Sequence, residues 1–194
     1  MTGTRRVRAD AERSTARILE AAEGVLAADP NAPLERIADA AGLARATVHR
    51  RFANRTALLT ALADQLNCRY ELAFDEAEAA TDDPLALLCE LSHRVFALKI
   101  ANRFALALAD TPGPRSLERM TRLFERLHEA GVIATADPAW TRGVCLALLD
   151  EVHRLPADSP ALGGGDEISA RSELFVRALL GALGAQGRDN LRGL

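Results

Sequence analysis

Residues 34–59, LERIADAAGLARATVHRRFANRTALL, decide how this chain is read. They predict two short helices, at about 34–41 and 45–52, joined by a tight turn and followed by the start of a third. Ala38 is small where two helix backbones must approach closely. Gly42 can take the positive φ that ends one helix and swings the chain round. Val48, with Phe52 one turn later, marks the inward face of the second helix. The outward face then carries Arg45, Ala46, Thr47, His49 and Arg50, which are donors or small side chains with no acid among them. Two helices held this way, the second free on a donor-rich face, are the arrangement that lays a helix in the major groove of DNA.

Charge is distributed to match. The 194-residue chain has a formal net charge of −3, which alone argues against a polyanion partner. Residues 1–55, however, hold ten arginines against seven acids, while the remainder is net acidic. Asymmetry of this kind separates a part that meets a polyanion from one that does not. Lysine occurs once, at Lys99, against 23 arginines scattered through both parts. That scatter reads as a compositional bias of the whole chain.

Composition also sets the fold class. Hydrophobic residues make up 48%, with six Phe, one Tyr and one Trp, so a core must be built mostly of Leu, Ala and Val. No strand-like run rich in β-branched residues occurs, and an all-α protein is expected. A polar, basic arm of about ten residues precedes a helix at about 12–28, carried by Ile18, Leu19, Ala22, Val25 and Leu26. Asn54 is placed to cap a long fourth helix running through Leu58, Leu62, Leu66, Tyr70 and Phe74. Asp83-Pro84 and Asp137-Pro138 are cap-and-proline starts for later helices. Further helices are expected at about 115–130, 138–155 and 168–184, and nine helices in all. The expected division is 1–56, a three-helix DNA-binding unit, and 57–194, a six-helix ligand-binding and dimerisation bundle. Val144–Leu149 is apolar without interruption, and residues 174–183 are broken only by Arg177 and Gly181. Helices apolar on nearly every side need cover on nearly every side, so a two-fold homodimer through about 138–155 and 168–184 is expected.

Other chemistries find little purchase. Cys68, Cys89 and Cys145 are odd in number and widely spaced, which speaks against a disulfide framework and for a reducing cytosol. The amino terminus lacks the apolar segment of a signal peptide, and no apolar run reaches the roughly 20 residues a bilayer span needs. Cys89 and His93, at i and i+4, are two metal-type side chains without a second pair. Cys145 and His153 lie two turns apart on one helix, too far for a nucleophile and its base. Gly163-Gly164-Gly165 has neither a strand before it nor G-K-[ST] after it, so it is not a phosphate loop. No enzyme activity, metal or cofactor is expected.

Residues 34–59 closely resemble the helix-turn-helix and fourth-helix start of the tetracycline-repressor (TetR) family of bacterial regulators. Helix number and order extend the likeness loosely to the whole chain. The resemblance implies that Arg45, Thr47 and Arg50 face base edges and that His49, Arg51 and Arg55 hold phosphates. The family usually has Tyr where this chain has His49, which can still donate to phosphate with added pH sensitivity. It often has a capping Thr where Pro33 stands, and Pro33 can neither cap nor donate. It commonly has Lys at the position of Arg55. The arm residues Arg5, Arg6, Arg8 and Arg13 would track the DNA backbone or minor groove, or serve only as a solubilising tail.

A ligand cavity in the larger part is also implied. Tyr70, His93, Phe96, Phe124 and Trp140 are its foremost lining candidates, with Phe74, Asn102, Phe104 and His128 beside them. Each is as readily ordinary core or surface. A pocket of this make-up would suit a mostly apolar small molecule. The expected function is a homodimeric repressor of a double-stranded DNA operator, released by a small-molecule effector. The alternatives are a DNA-binding dimer without an inducer, and a helical small-molecule-binding protein that has lost its DNA role.

Overall fold

The computed structural model describes residues 3–101 and 112–185, with the side chains of 3–9 outside the description. Among the described residues there are eight α-helices and no strand. They are α1 (Gly3–Ala28), α2 (Leu34–Ala41), α3 (Arg45–Arg51), α4 (Arg55–Ala80), α5 (Pro84–Ala101), α6 (Pro114–Glu129), α7 (Pro138–Arg154) and α8 (Glu167–Ala182). A short 3-10 turn, Pro160–Leu162, interrupts the Gly/Pro-rich loop before α8. The expected ninth helix lies outside the described residues, as do Asn102 and Phe104.

One expectation is corrected at the amino terminus. In place of an unstructured arm followed by a helix from about residue 12, α1 is continuous from Gly3. Nothing between Arg5 and Arg13 breaks a helix. Asp10 pairs with Arg13 on the next turn, and the Ser14 and Thr15 hydroxyls donate to the Asp10 and Ala11 carbonyls.

The chain divides into two compact units, and the division falls within α4, between Leu66 and Asn67. The first unit therefore runs past the expected boundary at residue 56, because Leu58 and Leu62 pack into its core. That core is closed by Ile18, Leu19, Ala22 and Leu26 of α1, Leu34, Ile37, Ala38 and Ala41 of α2, and Val48 and Phe52. The spacing of each set puts it on one helical face, and that face is buried.

The second unit has its own core, from Ala73 and Phe74 of α4 through Leu87, Leu91 and Phe96 of α5, Leu127 of α6, Cys145 and Val152 of α7, to Phe175 and Leu179 of α8. Phe96 and Phe175 meet edge to face, with centroids 5.8 Å apart. The helix starts are local. Asp83 Oδ1 accepts from Ala86 N at 2.7 Å, Asp137 Oδ1 from Ala139 N at 2.9 Å, and Asn54 Oδ1 from Ala57 N at 2.9 Å. Each satisfies a backbone N–H that has no partner within its own helix.

Three buried cations set the polar framework of this unit. Arg119 on α6 has a side chain only 5% exposed, donates to Asp75 at 2.7 Å and to Glu78 at 2.7 Å, and lies over the Phe74 ring. It ties α6 to α4. Arg171 on α8 reaches the last carbonyls of α7. Lys99 on α5 is buried and has no ion pair within reach among the described residues.

Burial holds the Lys99 ammonium below the usual lysine range, and the charge of Asp150 pulls only partly the other way. Its folded-state value is the lower one, so its charge costs stability at neutral pH, and that cost fades as pH rises toward the unfolded value. Lys99→Met is expected to stabilise the protein at pH 7 by about 1–2 kcal/mol. Denaturant unfolding at pH 7 and 9.5 checks this, since the gain should shrink at the higher pH.

Candidate nucleic-acid interface

The turn between α2 and α3 is built from backbone rules. Gly42 stands at φ 61°, ψ 37°, its N–H donates to Asp39 O, and Leu43 N–H donates to Ala38 O at 3.0 Å. This pair of bonds closes a helix with a left-handed glycine, and a side chain there would be strained. Arg17 of α1 completes the end by donating from Nη2 to Ala41 O at 2.7 Å. The same guanidinium would lie 3.2 Å from any Cβ placed on Gly42, a second reason for glycine. At the other end of α2, Pro33 makes no side-chain cap, as its chemistry requires.

These contacts fix the direction of α3. Val48 points inward and is fully buried. Arg45, Ala46, His49, Arg50 and Arg51 are exposed, with Thr47 half-buried beside them. Arg50 and Arg51 have no hydrogen-bond or ion-pair partner among the described residues. A free helix face with three guanidiniums and an imidazole can meet phosphates and base edges together.

Three features were not visible from the pattern of α3 alone. Glu35 of α2 faces His49, with Oε1 3.4 Å from Nε2, and Asp39 stands 4.0 Å from Arg45. The reading face carries no acid of its own, yet α2 supplies two. Arg55 donates from Nη1 to Ala32 O at 2.6 Å and from Nη2 to Pro30 O, so in the free chain it braces the α1–α2 loop.

The backbone N–H at the start of α2 holds the Glu35 carboxyl below its ordinary range, and His49 lowers it further. That contribution is present above the unfolded carboxylate value and is lost as pH falls through the lowered one. Near neutrality Glu35 is therefore an anion beside the reading face. Glu35→Gln is expected to tighten DNA binding by about two- to fivefold at low salt, with the gain fading as salt is added. Fluorescence anisotropy at two salt concentrations measures it.

The expected ligand-lining residues are not gathered into one place. Phe96 and Phe124 share the core of the second unit with Phe74. Tyr70 is buried, and burial pushes its phenol well above the usual range. His93 is exposed beside a groove between α5 and α8. Trp140 stands 56% exposed on the first turn of α7, and the His128 ring nitrogen lies 3.3 Å from Ile133 O.

Residues 18–62, from α1 through the first turns of α4, match the family model for bacterial regulatory proteins of the tetR family. The amino-terminal unit of the chain is that of the TetR family. Over 67 residues it is 46% identical to the HTH-type transcriptional repressor LfrR of Mycolicibacterium smegmatis. That match covers 34% of this chain and 35% of LfrR. The solved structure of LfrR in complex with proflavine is similar over 89% of this chain and 94% of that one, at 27% identity and a TM-score of 0.59. A tetR-family regulator from Rhodococcus RHA1 shares the fold over 90% of this chain and 98% of that one, with a TM-score of 0.71 at 18% identity. The TetR-family fold, an amino-terminal helix-turn-helix unit followed by a helical bundle, is the one described above. Among the described residues no helix is long and apolar enough to cross a membrane.

Proposed function

We propose that this TetR-family chain is a homodimeric, sequence-specific DNA-binding repressor, released from its operator by a small, largely apolar ligand. The observation that carries the DNA role is the free face of α3. Its guanidiniums stand out from a helix whose opposite side is fixed by Val48, Gly42 and Arg17. Arg45, Thr47 and Arg50 would read bases, while Ala46 allows close approach. His49 and Arg51 would hold phosphates, joined by Arg55 where its loop contacts leave donors free. Two copies of α3 would enter successive major grooves of a near-palindromic site, about one helical turn apart.

The dimer reading is supported by α7. Trp140, Gly143 and Ala147 are exposed along it, and Val144 and Leu148 are only half-buried, on a helix that reads as core in the sequence. The ligand reading is supported by the likeness to LfrR, which was solved with proflavine bound. α4 is the helix with residues in both units, and through it a ligand in the second unit would alter operator binding. This requires the ligand to prefer the non-binding state.

The deciding experiment titrates the purified chain against the duplex upstream of its own coding sequence and against a scrambled duplex, at several salt concentrations. Preferential binding that weakens linearly with the logarithm of salt is expected. Equal, weak binding to both duplexes would overturn the sequence-specific reading. Light scattering on the same sample should give twice the chain mass. A monomer would overturn the dimer.

A further inference from the structure

Within the first unit, α2 and α3 meet through a pair of unlike groups. Glu35 Oε1 of α2 lies 3.4 Å from His49 Nε2 of α3. Both side chains are half exposed, so solvent and a DNA strand reach the pair. The sequence of this unit holds no other histidine. The Glu35 carboxyl, held below its ordinary range first by its backbone N–H, stays an anion across the neutral range.

The chemistry of the two groups constrains the ring. A carboxylate only accepts, and a neutral imidazole carries one N–H and one lone pair. An anionic oxygen facing Nε2 favours the tautomer with its hydrogen there, which leaves the lone pair on Nδ1. A lone pair repels a phosphate oxygen. Turning Nε2 toward the phosphate would forfeit the Glu35 contact and set that carboxylate beside the DNA anion. Only the imidazolium, with a donor on each nitrogen, answers Glu35 and a phosphate together.

The surrounding charges leave the imidazole as the group that changes. On α3 itself stand Arg45, one turn earlier, with Arg50 and Arg51. On α2, Asp39 lies 4.0 Å from Arg45, and Arg36 is held by Asp29. Arg17 of α1 donates to Ala41 O, and Arg55 of α4 donates to Ala32 O and Pro30 O. Guanidiniums and carboxylates as classes titrate outside pH 6–8, and an imidazole titrates within it.

We propose that Glu35 is a positioning residue: it fixes the His49 tautomer and thereby couples DNA binding to a proton taken up at Nδ1. This rests on the phosphate role of His49 proposed above. The proton comes from solvent, is shared with a phosphate oxygen while DNA is bound, and returns to solvent on release. The bound state holds the extra proton, so affinity rises as pH falls. Glutamine at position 35 both donates and accepts, which frees the neutral ring to put its hydrogen on Nδ1. The tightening expected of Glu35→Gln near neutrality should therefore vanish near pH 6.

Anisotropy titrations of the full chain on the upstream and scrambled duplexes, at fixed salt from pH 8 to pH 6, test the coupling. Wild-type affinity should rise by roughly three- to tenfold on both duplexes, because a phosphate carries no sequence. His49→Gln should abolish the rise, and Glu35→Gln should reduce it to about twofold. Circular dichroism verifies that both variants fold. In the free chain, long-range 1H–15N spectra at pH 8 should show His49 as the Nε2–H tautomer, and as a mixture in Glu35→Gln. The His49 signal is the one lost in His49→Gln. Wild-type binding that ignores pH, a full rise in Glu35→Gln, or the same tautomer mixture in both chains would overturn the coupling and leave the DNA role standing. Binding to neither duplex at any pH would overturn the DNA role, and the coupling with it.

Discussion

Alanine at Arg45 or Arg50 should cut affinity for the operator by roughly ten- to hundredfold each, and by more when combined. An arginine that forks onto a base edge contributes about 1–3 kcal/mol of discrimination, and that contribution vanishes on a scrambled duplex. The same variants should therefore lose far less on scrambled DNA, where only their charge counts. Arg51→Ala makes the contrast. Its expected phosphate role predicts an equal loss on both duplexes and a salt slope shallower by about one. Anisotropy titrations of the three variants on both duplexes separate the roles. If Arg45→Ala and Arg50→Ala weakened both duplexes equally, the base-reading assignment would fail while the phosphate-binding one survived.

Arg171→Met should be the most destabilising single change in the second unit, at about 3–5 kcal/mol. The side chain is 1% exposed. Nη1 donates to Val152 O and His153 O, and Nη2 to Leu155 O at 2.9 Å. Nε and Nη2 both hold Glu167, at 3.0 and 2.7 Å. The last carbonyls of α7 have no partner in their own helix, and the residue that follows Arg154 is Leu155, not a capping glycine. Arg171 supplies that cap from another helix. Methionine would fill the space but leave the carbonyls and one carboxylate unanswered. Arg171→Lys keeps the charge without the fork and should fall between the two. Urea unfolding followed by circular dichroism gives the ranking, and equal stability of all three would refute the capping role.

What the sequence disclosed follows a physical divide. The α2–Gly42–α3 turn and the caps at Asn54, Asp83 and Asp137 depend on neighbours within a few residues, so spacing alone exposed them. Arg17, Arg55, Arg119 and Arg171 act on groups 16 to 48 residues away along the chain. In a chain with 23 arginines, nothing local set those four apart, and the abundance read as composition. The same holds for Glu35 and Asp39. Considering α3 as a free face left out what α2 brings beside it. The groove between α5 and α8 joins residues more than 70 positions apart. Of its residues only the Cys89–His93 spacing was legible, and two such side chains without a second pair did not make a site. The reading of a continuous apolar α7 was correct as sequence, yet only the fold reveals which of its side chains stay uncovered.

The burial of Lys99 has one more consequence. It is the chain's sole lysine, so every cationic side chain on the surface, the imidazoles aside, is a guanidinium. Acylation, which silences amines, has no accessible lysine target on this protein. The positive charge of the reading unit is thus carried by guanidiniums, which lysine acylation does not reach.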